Sequence, residues 1–368
     1  MKRFRSIDIL RGFCMFFILG MDQVIRKASL LSNNSALLFL SNQMRHSEFS
    51  ARITFEDFLL PTLIFITGVT IPNSLSKHGN ETWKHKLLFI ARRVGLLLLI
   101  SFIYNAYINR NLGSNTLTVA GVLSVFAVAW GGASIAFFSL SELFGKNTRK
   151  MILSVGVLAA VVQVLYSMLI MFLHAPDFPD ASVFSAEGNI VCYIDRLYYP
   201  EALLVNGLFY RCALAYFSSI SMSLIGIIIG ILLYKANDNR FRVTLIGLVM
   251  ITGGLLLRYA YPINKRLWSL TFILLIAGID ILILCLLNFL CDRKEKERKN
   301  FVESFGHNTI LLYVLEESGV FKQMGIVIFS FAFTIFKIEG AFYEQLAQFL
   351  IICFSAFFLA HKNIKINI

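Results

Sequence analysis

Residues 268–290 read WSLTFILLIAGIDILILCLLNFL, a run of 23 residues without a Lys or Arg. A helix rises about 1.5 Å per residue, so this run is long enough to cross the roughly 30 Å hydrocarbon core of a bilayer. Comparable runs recur along the chain. Ten can be placed, at 7–27, 55–76, 87–107, 117–143, 151–173, 213–234, 243–261, 268–290, 304–320 and 342–361. The whole 368-residue chain is 57% hydrophobic and 15% charged, with a mean hydropathy of +0.71. Soluble domains carry about 25% charged residues. The predicted fold class is therefore all-α, a polytopic helical membrane protein of about ten spans. It forms one integral-membrane domain over 1–368, with no room for a sizeable soluble domain. The first run contains Arg11 and Asp22 and lacks a small-residue cleavage site. It reads as a retained helix rather than a signal peptide.

Charge sets the expected orientation. An even number of spans places both termini on one side, with links 1–6, 77–86, 144–150, 235–242, 291–303 and 362–368. These links hold most of the 34 Lys and Arg residues, including Arg5, Lys77, Arg149, Arg240 and the cluster from Arg293 to Lys299. Basic residues gather on the cytoplasmic side, so both termini are expected there. The net charge of +12 is thereby accounted for without a nucleic-acid partner, since it forms no single stripe. Three outward links have substance: 28–54, the large loop 174–212, and 321–341. The last is apolar enough to be re-entrant or interfacial, and a full crossing there would change the even count. The six cysteines show no CxxC and no metal-ligand spacing, so no metal site is expected. Cys192 and Cys212 both fall on the outer side and could pair.

Polar residues in or beside the spans are the candidates for function, because a charge in hydrocarbon is expensive and tends to face a cavity or a partner. His46 lies on a polar link in Gln43-Met44-Arg45-His46-Ser47-Glu48-Phe49. Asp57 opens the second span eleven residues later, and Asp22 lies inside the first. Each carboxylate also has a plainer reading. Asp22 can pair with Arg26 one helical turn on, and Asp57 with Glu56 can serve the dipole of a helix N-terminus. Arg11 can reach the cytoplasmic interface along its own stem. Arg92 and Arg93 open the third span at the cytoplasmic face, either as ordinary membrane anchors or as a clamp for phosphate.

Ordered sequence blocks then carry a resemblance. Arg5-Ser6-Ile7-Asp8-Ile9-Leu10-Arg11-Gly12 fits an R-x-x-x-D-x-x-R-G signature. Gln43-x-x-His46 is followed by Thr54-Phe55-Glu56-Asp57-Phe58-Leu59-Leu60-Pro61. Further blocks are Asn189-x-x-x-Tyr193-Ile194-Asp195-Arg196, then Pro262-Ile263-Asn264-Lys265-Arg266-Leu267-Trp268-Ser269, then Gly306-His307-Asn308-Thr309-Ile310-Leu311-Leu312-Tyr313. Together they resemble the transmembrane acyltransferases typified by heparan-α-glucosaminide N-acetyltransferase, and most closely the bacterial branch. The chain departs from that pattern in places. Gly121-Val122-Leu123 is not followed by the family's Gln and Arg. Phe49 stands where a Trp is usual. The D-P-E-G-L-L-S-T block survives only in part, at Pro200-Glu201-Ala202-Leu203-Leu204.

The resemblance implies an enzyme of the inner membrane that moves acetyl from cytoplasmic acetyl-CoA to an amino sugar or glycan on the outer side, with a homodimer as the usual assembly. Such a transfer needs a base for the amine, donors for the tetrahedral oxyanion and cations for the phosphates. His46 suits the base or an acyl carrier. Asp22 or Asp57 would orient it and stabilise imidazolium, as in a triad. Arg11, Arg92, Arg93 and Asn308 are the expected acetyl-CoA residues, and Lys265, Trp268, Asn189 and Asp195 the expected acceptor residues. The competing expectations are a proton-coupled small-molecule transporter and a non-catalytic glycan-binding relative.

Overall fold

The computed structural model describes residues 4–32, 34–47, 52–109, 117–145, 147–199, 204–205, 208–209, 213–234, 239–292, 301–336 and 340–364. The regular secondary structure of the described residues is helical apart from a two-residue antiparallel ladder, in which Leu204 and Val205 pair with Phe209 and Leu208. In chain order the helices are α1 (Arg5–Phe16), a π-helical turn (Phe17–Met21), α2 (Asp22–Ser29), α3 (Ser35–Gln43) and α4 (Glu56–Ser74). After a 3₁₀ turn come α5 (Trp83–Ile108), α6 (Val122–Phe144), α7 (Thr148–Phe172), α8 (Ile190–Tyr198) and α9 (Ala215–Tyr234). The remainder are α10 (Arg240–Leu257), α11 (Leu270–Cys291), α12 (Phe301–Phe305), α13 (Thr309–Glu317), α14 (Val320–Phe336) and α15 (Ala341–His361). Eight helical segments among the described residues are long and apolar enough to cross a membrane, and the chain is an integral membrane protein. The helices fall into two compact units: a first built mainly from Pro61–Cys285, and a second from Lys2–Ser47, Thr54–Leu60 and Leu286–Ile368.

In the first unit α6 packs on α5, α7 and α9, and α7 packs on α9. Their shared core includes Ile71, Ile90, Trp130, Phe137, Phe138, Val155, Leu224 and Ile227. Lipid tails are as apolar as these side chains, so helices in a bilayer gain from close backbone contact rather than from escaping solvent. The crossing of α4 and α9 shows this. A Cβ on Gly68 would lie 2.1 Å from the Ser223 carbonyl oxygen, one on Gly226 2.3 Å from that of Phe65, and one on Gly230 2.3 Å from that of Val69. Gly226 and Gly230 are spaced as a small-x-x-x-small pair. The crossing of α10 and α11 repeats the device, where a Cβ on Gly278 would meet the Gly247 oxygen at 2.7 Å.

In the second unit α1 packs on α12, α2 on α3 and α15, and α14 on α15. The N-terminus of α1 is held by Asp292, which accepts from the Ser6 amide at 3.0 Å and the Ser6 hydroxyl at 2.5 Å. Such a carboxylate satisfies orphan donors and complements the helix dipole. Arg5 pairs with Glu303 beside it. Gly12 and Gly306 let α1 and α12 touch, since a Cβ on Gly12 would sit 2.0 Å from the Val302 oxygen. The Phe16 ring meets Phe301, Phe305 and Phe349 edge-on at 5.3–6.4 Å.

Eight of the ten expected spans coincide with the eight apolar helices, shifted by a few residues at their ends. The other two are interrupted. Segment 7–27 passes through the π turn, where Gly20 has φ 129°, a conformation that only glycine adopts readily. Segment 304–320 takes in the end of the five-residue α12 and the whole of the nine-residue α13, separated at Gly306-His307-Asn308. Segment 321–341 is largely the 17-residue helix α14. The acceptor-side block at 200–203, the basic links at 235–238 and 293–300, Phe49, and Cys212 with its expected pairing to Cys192 lie outside the described residues.

Replacing Gly226 by Leu should cost about 1–3 kcal/mol or more, because a side chain there meets backbone rather than a movable neighbour. Gly253, with nothing within 4 Å of a built Cβ, is the matched control. Thermal unfolding in detergent should show a lowered midpoint for Gly226→Leu and little change for Gly253→Leu.

Candidate functional site

His46 lies on the link between α3 and α4, and Ser47 and Thr54 of that link both turn their amides to one carboxylate. Asp57, in the first turn of α4, has no exposed surface. Its Oδ1 accepts from the Ser47 amide at 3.3 Å and its Oδ2 from the Thr54 amide at 3.0 Å. The Thr54 hydroxyl donates to the Arg45 carbonyl at 2.6 Å, and Gln43 Oε1 accepts from the Phe55 amide at 3.2 Å. His46 Nδ1 stands 3.9 Å from Asp57 Oδ1, with its side chain 39% exposed. The arrangement joins a solvent-facing imidazole to a buried carboxylate already fixed by backbone donors. At 3.9 Å the pair is within ionic reach but beyond hydrogen-bond length. The hydroxyl of the neighbouring Ser47 is buried and has no partner among the described residues, which leaves a donor beside the pair.

Asp22 has a different set of neighbours. Its Oδ2 accepts from Arg26 at 3.2 Å, one turn along α2. Glu316 and Glu317 of α13 act on it electrostatically, and Gln348 of α15 donates to Glu316 at 3.2 Å. The i,i+4 pairing readable in the sequence is therefore present, inside a larger group of carboxyls just after the break at Gly20. Of the two carboxylates expected beside His46, the one paired with it is Asp57.

Arg11 and Asn308 also belong to the second unit. Arg11 lies 3.7 Å from Asp8, with its side chain 27% exposed. Asn308 precedes α13 and donates to the Ile364 carbonyl at 2.9 Å. Arg92 and Arg93 belong to the first unit and face different ways. Arg92 is exposed on α5, whereas the Arg93 guanidinium lies over the Trp130 ring, 4.4 Å from its centroid. That stacking uses the planar cation against an aromatic face.

The expected acceptor residues are all in the first unit, and three of them have clear local work. Asn189 is buried: its side-chain oxygen accepts from the Val191 amide to cap α8, and its nitrogen donates to the Val183 carbonyl. Asp195 accepts from the Ala213 amide at 3.1 Å, while Arg196 pairs with Asp177. Trp268 has φ 48°, a left-handed backbone unusual for a bulky residue. Its carbonyl accepts from Gln163 and Ser218, and the Tyr166 hydroxyl holds the Leu267 carbonyl. Asn264 and Ser269 close the same loop on each other: the Asn264 amide donates to the Ser269 hydroxyl, and the Ser269 amide to the Asn264 carbonyl. Lys265 is half-buried in this loop. The Pro262–Ser269 block thus folds a tight connection between α10 and α11.

Two features were not singled out in the sequence. Gln163 joins Ser218, Ser221 and Trp268 in a buried network whose members are separated by up to 105 positions, so no local pattern announces it. Asp280 is buried midway along α11, with Oδ1 accepting from the Thr62 hydroxyl at 2.7 Å. Its signal was legible: one acidic residue in the most apolar of the eight helices. Among the described residues no three His, Cys, Asp or Glu side chains converge as they would around a metal ion.

Asp57→Ala should leave two amides of the link without their acceptor, at about 1–3 kcal/mol. Hydrogen exchange at Ser47 and Thr54 should then quicken by about 5- to 150-fold, the same energy expressed as a ratio. Asp57→Asn, which keeps one acceptor oxygen, should fall between.

No protein-family model matches this chain, and no curated protein matches it.

Proposed function

We propose that the chain is a membrane-embedded acyltransferase of the heparan-α-glucosaminide N-acetyltransferase type, carrying acetyl from cytoplasmic acetyl-CoA to an amino sugar or related glycan on the outer side. The observation that supports it best is the pairing of exposed His46 with fully buried Asp57. A base that must take a proton from an amine needs an open face for the substrate and a fixed anion behind it. The ordered sequence blocks add to this reading, because the paired residues fall in the block where that family keeps its catalytic histidine. The proposed topology is ten spans with both termini cytoplasmic, in a bacterial inner membrane. A homodimer is the assembly that accompanies this reading.

In the reaction the amine nitrogen bonds to the thioester carbonyl carbon while His46 takes the amine proton. Asp57 stabilises the imidazolium that forms. Collapse of the tetrahedral species breaks the carbon–sulfur bond, and the proton passes from His46 to the departing thiolate. The Ser47 hydroxyl is a candidate donor to the oxyanion. For the phosphates of acetyl-CoA, the part-exposed Arg11 of the second unit, which also holds His46, offers a guanidinium group.

The competing reading is a proton-coupled carrier, and the buried Asp280 favours it. The two separate in one preparation. Purified protein in proteoliposomes, given radiolabelled acetyl-CoA and glucosamine, should form the acetylated sugar. His46→Ala should reduce that rate by about 10²- to 10⁴-fold with an unchanged melting temperature. A His46→Ala protein that transfers acetyl at the wild-type rate removes the site assignment. Glucosamine uptake into vesicles without acetyl-CoA favours the carrier.

A further inference from the structure

Asp280 is the only Asp, Glu, Lys or Arg in α11. It lies eleven residues into a 22-residue helix, about 15 Å from either end. The residue is 1% exposed. Oδ1 accepts from Thr62 on α4, and Oδ2 is buried with no hydrogen-bond partner among the described residues. Among the described residues no cation pairs with it and no charged side chain acts on it electrostatically. α4 carries Glu56 and Asp57 in its first turn and no further charge through Ser74. α10, which crosses α11 at Gly247 and Gly278, carries its charges Arg240 and Arg242 at its cytoplasm-proximal start in the proposed topology, with Arg258 just beyond its other end.

A bare carboxylate at that depth costs several kcal/mol. Something must neutralise it. A hard metal cation gathers about six or more oxygen ligands, and the polar partner described here is the single Thr62 hydroxyl. A proton needs no such shell. We propose that Asp280 is a proton-binding site, in which a neutral carboxyl accepts the Thr62 hydroxyl and joins α4 to α11 within the first unit. Proton occupancy is then tied to the packing of those two helices, and release of the proton sets an uncompensated charge between them. The site does not depend on the acetyl-transfer reading and is tested without turnover.

The test is infrared difference spectroscopy on the full-length protein in nanodiscs, wild type minus Asp280→Asn, at neutral and alkaline pH and with sodium or choline as the salt cation. The expected result is a protonated-carboxyl carbonyl band in wild type at neutral pH, shifted in frequency in deuterium oxide and indifferent to sodium. Asp280→Asn, a neutral near-isostere, should keep the wild-type melting temperature. Should that variant fail to fold, Thr62→Val in its place should move the same band, because the carboxyl loses its hydrogen bond. A carboxylate signal at neutral pH overturns the proposal. So does a protonated band that disappears when sodium replaces choline, which assigns the site to a metal cation, and so does a band unmoved by Thr62→Val.

Discussion

Hydrocarbon offers no hydrogen bonds, so each polar group carried into it must find its partner within the protein. The inventory of this chain follows from that one constraint. The long helices satisfy their own backbones, and where the backbone leaves a helix a polar side chain repeatedly supplies the missing partner. Asp292 serves the start of α1, Asn147 and Asn189 cap α7 and α8, and Gln163 with Ser218 serves the carbonyl of Trp268. Asp57 does the same for the link that bears His46. A residue that organises a loop in this way also holds whatever sits on the loop, and in the proposed reaction the same Asp57 would stabilise the His46 imidazolium.

Hydropathy made the apolar helices legible, because length and composition are all that crossing a bilayer requires of a helix. It was blind to interruptions. A window that averages over Gly20 or over Gly306-His307-Asn308 still scores as apolar, although the backbone there changes direction or stops. The pairing of His46 was half legible. Both Asp22 and Asp57 had the right chemistry at a membrane edge, and only the contacts that Ser47 and Thr54 make to Asp57 decided for Asp57. Asp22 had a nearer cation in Arg26 and stayed with it.

The sequence blocks also divide by what they do locally. Arg5–Gly12 and Gly306–Asn308 supply a capped helix start and a glycine contact that brings α1 to α12. Asn189–Arg196 and Pro262–Ser269 fold connections through caps and reciprocal hydrogen bonds. Such residues are spaced by backbone geometry, so they stand out in the sequence even when they touch no ligand. Gln163 and Thr62, which act across long separations, do not stand out at all.

The chain contains three tryptophans, and all belong to the first unit: Trp83 at the start of α5, Trp130 beneath the Arg93 guanidinium and Trp268 in the loop before α11. The second unit, which holds the His46–Asp57 pair, has none. Indole emission is therefore a one-sided reporter. It follows the melting of the glycine-packed helices and passes in silence over any loosening of α1, α12 or the histidine link, which must be watched by amide exchange or by a fluorophore placed there deliberately.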